Sequence, residues 1–159
     1  MAANLNTGFT TKQRNDIVAG LNKVLADSYA LYLKTHGYHW NVRGPNFQAL
    51  HVLLEGQYNE EWTALDAIAE RIRALGELAP MGYAAFGNLS SIKDGDAEQE
   101  WEGMFKELLT DNETVIATLR GAFGAADEAG DEATADLYTQ RLAAHEKHAW
   151  MIRSTLGGK

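Results

Sequence analysis

Residues 76–96, GELAPMGYAAFGNLSSIKDGD, separate two stretches of strong helical periodicity. Their glycines, serines and Pro80 break a helix, and the segment predicts a connector with room for a short helix inside it. Before it, apolar residues recur at helical spacing from about Asn46 to Leu75: Phe47, Leu50, Leu54, Tyr58, Trp62, Leu65, Ile68, Ala69 and Ile72. Gly76 is a natural stop. Beyond it, Asp96 with Gln99 three positions on predicts the start of another long helix, running to about Phe123. The stretch GAADEAGD (124–131) predicts a break, and a last helix runs from about Asp131 to Leu156, before GGK.

Towards the N-terminus, Thr10 and Gln13 have capping-box spacing. Ile17, Leu21, Val24, Leu25, Tyr29, Leu31 and Tyr32 continue that helix until NVRGPN (41–46) interrupts it. Four long helices, two short turns and one long connector predict an all-α four-helix bundle. An up-down-up-down bundle does not need so long a connector; the ferritin-like variant does, because its chain crosses once along the bundle. No strand alternation and no repeat of solenoid period is present, and a single domain over residues 1–159 is expected.

Composition narrows the function. The 159 residues include no cysteine, so disulfides, thiolate metal sites and thiol catalysis are excluded. No run of about 20 apolar residues offers a membrane span, and MAANLNTGFTTKQ lacks the charged and apolar regions of a signal peptide. A cytoplasmic protein without a membrane partner is expected. With 22 acidic against 14 basic residues the net charge is −8, which disfavours a general nucleic-acid binder and suits a gatherer of cations.

The ligand-type side chains cluster on the second helix. His51 and Glu55 are four residues apart, as are Asp66 and Glu70, so each pair lies on one face. The eleven residues from Glu55 to Asp66 return to nearly the same face at about 100° per residue, but rise about 16 Å. Metal bonds of about 2 Å cannot span that distance. An antiparallel second copy across a two-fold axis would bring Asp66 and Glu70 of one chain to His51 and Glu55 of the other, twice. Imidazole and carboxylate without sulfur suit iron, manganese or zinc.

HWNVRGPNFQALHVLLE (39–55) and LDAIAERIRALG (65–76), with ATADLY at the start of the last helix, resemble the Dps family of mini-ferritins. The resemblance extends over most of the chain. It implies a ferroxidase site formed by His39, His51 and Glu55 of one subunit with Asp66 and Glu70 of its two-fold partner. Many members carry aspartate where this chain has Glu55. Trp40 matches the tryptophan beside that site. The resemblance also implies a homo-oligomer, a hollow dodecamer, that takes up ferrous iron through acidic pores. Iron would be oxidised, preferentially by hydrogen peroxide, and stored as ferric mineral, which protects against oxidative stress. Asp127 and Asp136 are the pore candidates, against ordinary helix-end acids; Glu60 and Glu61 are candidates for mineral nucleation.

Other features have plainer readings. His36, three residues before His39, is expected at a surface or interface. His145 and His148 in HEKHAW are expected to be solvated or at a subunit contact, and an intrachain diiron site is disfavoured because the third long helix lacks Glu-x-x-His. Trp62, Trp101 and Trp150 read as core or interface aromatics. DNA association with iron handling secondary is the alternative function. It is weakened by termini offering only Lys12 and Arg14 at one end and Arg153 and Lys159 at the other.

Overall fold

The computed structural model describes residues 5–159; among them are five α-helices and no strand. They are α1 (Thr11–Asn41), α2 (Phe47–Ala74), α3 (Tyr83–Leu89), α4 (Trp101–Ala129) and α5 (Glu132–Thr155). The capping box at the start of α1 is formed: Thr10 N–H donates to Gln13 Oε1 at 2.9 Å, and Gln13 N–H to Thr10 Oγ1 at 3.3 Å. These bonds satisfy two of the donors that a helix start leaves open.

Helices α1, α2, α5 and α4 pack in that cyclic order. Cross-helix pairs give the directions. Asp27 accepts from Thr118 Oγ1 at 2.7 Å while Lys34 pairs with Asp111 at 2.7 Å, so α1 and α4 run antiparallel. Arg71 meets Asp131 at 2.7 Å while Glu61 meets Arg141 at 3.3 Å, so α2 and α5 do too. That arrangement requires the connector to cross the length of the bundle, as in ferritin-like folds. The crossover carries α3, which lies against α1. Its end is held by fully buried Asp27, which accepts from Ser91 N–H (2.6 Å) and Ser90 Oγ (3.1 Å).

Two predicted boundaries move. The third long helix begins at Trp101, because Asp96 Oδ1 accepts from Glu98 N–H at 2.9 Å and closes a separate turn ahead of it. It continues beyond Phe123 to Ala129, since the alanines and acids of 124–129 are helix-compatible and Gly124 is tolerated inside a packed helix. Only Gly130, at φ +70°, breaks it. The inner face of α2 also differs from expectation. Phe47 and Trp62 point outward, while Gln57 and Glu61 occupy core positions among Leu54, Leu65, Ile68 and Ile72. No helix among the described residues is long and apolar enough to cross a membrane.

Candidate metal centre

His39 lies in the last turn of α1 and His51 in the second turn of α2, on either side of the NVRGPN turn. Their rings stack at 3.7 Å, tilted by only 19°. The two residues exchange hydrogen bonds: His39 Nδ1–H donates to the His51 carbonyl at 2.9 Å, and His51 Nδ1–H to the His39 carbonyl at 2.8 Å. A carbonyl only accepts, so both protons belong on Nδ1 and both Nε2 lone pairs stay free. Fixing the tautomer through the second nitrogen is how metal-ligating histidines are commonly oriented.

Glu55 lies one turn beyond His51, and Asp66 and Glu70 further along the same outer stripe of α2; all three carboxylates are exposed. The structure thus brings His39 to His51, and leaves Asp66 and Glu70 too far along the helix to join them within one chain. The surrounding surface is apolar: Trp40 is 67% exposed and Trp62 59%, with Phe47 and Val52 also open.

Behind the pair stands an aromatic wall. His36 stacks on Tyr58 at 3.9 Å and hydrogen-bonds Tyr32 through Nδ1 at 3.2 Å, while Tyr58 meets His39 edge-on at 5.0 Å. Burial, then the neighbouring His39, pushes the His36 imidazole below its ordinary value, so it packs as a neutral ring. Asp127 is exposed in the last turn of α4, and Asp136, exposed early in α5, accepts from Gln140 at 2.6 Å.

His145 and His148 are not solvated, contrary to expectation. They lie inside the bundle, 0% and 8% exposed, facing Glu61, which is 1% exposed and therefore cannot line a mineral cavity. Glu60 is half-buried and bonded through both oxygens to Arg141. The signal was available in the spacing: Tyr138, Arg141, His145, His148 and Ile152 recur every three or four residues, the stripe a bundle helix turns inward. Burial pushes His145 down to about 4, so its ring is neutral at physiological pH. Burial raises the Glu61 carboxyl, but its contacts with His145, His148 and Arg141 outweigh that and place it below the ordinary value.

The family model for the ferritin-like domain matches residues 18–158. A low temperature-induced protein of Nostoc sp. is 40% identical over 98% of this chain and 88% of its own length. The DNA protection during starvation protein 2 of Bacillus anthracis is 36% identical over 88% of this chain and 96% of its own length. Among solved structures, Dps from Bacillus brevis superposes with a TM-score of 0.88 at 35% identity, covering 92% of this chain and 99% of that one. DpsC from Streptomyces coelicolor gives 0.92 at 29% identity, covering 98% and 92%.

Proposed function

The chain belongs to the Dps family of ferritin-like proteins, and from that premise we propose that it oxidises ferrous iron and stores the ferric product. The observation that carries this reading is the His39–His51 pair, a buried and a half-buried imidazole with bare Nε2 atoms, with exposed Glu55 one turn further along α2. A stripe that ends in exposed carboxylates, with Trp40 exposed beside His39 and Trp62 exposed further along α2, supports completion by a second copy. Asp66 and Glu70 of that copy would then supply the remaining carboxylates, twice per two-fold dimer. Six such dimers would make the hollow dodecamer, with the mineral inside.

Hydrogen peroxide is the proposed oxidant. Two ferrous ions each give one electron to one peroxide, its O–O bond breaks, and the ferric ions hydrolyse to oxyhydroxide, releasing four protons. The chain's part is positional: the imidazoles bind ferrous ion, while the carboxylates favour the more highly charged ferric product as hard oxygen donors. Asp127 and Asp136 are proposed pore acids. Asp127 sits at the negative end of α4, where the helix dipole disfavours an acid, which supports a role other than capping.

The test is anaerobic loading of the metal-free protein with Fe(II), followed by peroxide titration with ferric absorbance as readout. A sharp end point near one peroxide per two Fe(II), faster than oxidation by air, is expected. Oxidation no faster than in protein-free buffer would overturn the proposal.

A further inference from the structure

The bundle core holds a second group of metal-type side chains, about which the outward site says nothing. Glu61 on α2 faces His145 and His148 on α5, all three buried, with one donor atom from each within 4.8 Å of the others. We propose that these three residues form a mononuclear site inside each bundle for a four-coordinate divalent transition cation, zinc(II) by geometry.

The distances carry the geometry. Glu61 Oε1 lies 3.4 Å from His145 Nδ1 and 3.6 Å from His148 Nδ1. Tetrahedral donors on bonds of about 2.1 Å are separated by about 3.4 Å, so little movement is needed to close around a cation. Two imidazoles and one carboxylate are a donor set zinc accepts, leaving the fourth position to water or to Asn112 Oδ1, 3.0 Å from His145 Nδ1. His148 Nε2 lies 3.9 Å from Glu60 Oε2, which leaves its proton on the side of a carboxylate.

The charges point the same way. Glu60 and Glu61 share a single guanidinium, and Arg141 engages Glu60 through both oxygens while reaching Glu61 Oε1 only at 3.3 Å. Glu61 Oε2 is buried with no hydrogen-bond partner at all. A buried carboxylate half-served in this way is costly unless a counter-ion joins it. Arg141 does not block the site. It donates to His145 Nε2 at 3.2 Å, while His145 Nδ1–H donates to Asn112. When the cation takes Nδ1, the proton moves to Nε2, so Arg141 must give up its bond to that atom and turn towards Glu60, where it keeps its two bonds.

The test uses the assembled, metal-stripped protein carrying His39→Ala and His51→Leu, which silences the outward imidazoles. Its outcome therefore does not depend on iron oxidation. Zinc(II) titration is expected to give one ion per chain, and Co(II) the intense visible bands of four-coordinate cobalt. Glu61→Gln or His148→Ala, added singly, should weaken binding about tenfold or more and abolish the cobalt bands. Circular dichroism identifies any variant that does not fold, and the other variant then decides. No binding, or equal binding after loss of a core ligand in a folded protein, would overturn the site.

Discussion

At the scale of the residue, His51 does two things with one ring. Its Nδ1–H closes the turn between α1 and α2 by donating to the His39 carbonyl, and its Nε2 remains open on the outward face. Replacing it with leucine removes both while keeping an apolar side chain against His39. We expect His51→Leu to slow peroxide-driven Fe(II) oxidation at least about tenfold, with the assembly intact by size-exclusion chromatography. Dissociation of the variant would mean that the histidine pair also holds the subunits together.

At the scale of the element, helix contacts set the stability. Gly20 on α1 approaches α4 so closely that an added Cβ would stand 2.9 Å from Ala122 Cβ. Neither atom ends a flexible side chain, so the helices themselves must part. Gly20→Ala is expected to cost about 1–3 kcal/mol, the usual range for overpacking, measured by denaturant unfolding. At the start of α5, Asp131 is a buried N-cap: it accepts from Thr134 N–H at 3.0 Å and pairs with Arg71 at 2.7 Å. Burial raises its carboxyl, but Arg71 and Thr134 outweigh it, so the folded value lies below the ordinary 3.8. A depressed carboxylate stabilises the fold above its unfolded value and loses that contribution as pH falls through the folded one. Asp131→Asn should therefore be about 1–2 kcal/mol less stable at neutral pH, and the gap should close below about pH 4. A gap unchanged from pH 7 to 3 would contradict the ion-pair account.

At the scale of the whole molecule, one face of α1 and α2 exposes more aromatic surface than a lone bundle needs. Trp40, Phe47 and Val52 lie open near the histidine pair, and Trp62 lies open further along α2. Contiguous apolar surface of this kind usually marks an interface. Trp62→Glu is expected to shift the protein from a large assembly to monomers by light scattering. Fe(II) oxidation should fall with it, because the two halves of the proposed site separate. Full activity in a dissociated species would assign all the ligands to one chain. Net charge acts at the same scale: at −8, plasmid DNA should not be shifted in gels at about 150 mM salt. A persistent shift would favour the DNA-associated alternative.

The sequence by itself determined the bundle, the crossover, the capping box and the stripe of His51, Glu55, Asp66 and Glu70, because helical periodicity and local capping are set by residues three or four apart. It misplaced both ends of α4: Asp96 closes a separate turn ahead of the helix, and the alanines and glycine after Phe123 read as a break although packing keeps them helical. Only the tertiary structure decided which nitrogens of His39 and His51 are bare, since that depends on carbonyls twelve positions away. It alone also buried Glu61 against His145 and His148, on helices that meet only after the crossover. Charged and ionisable residues are mostly found outside; here Arg141 and the imidazoles lie within reach of Glu61, which makes the inward position tolerable.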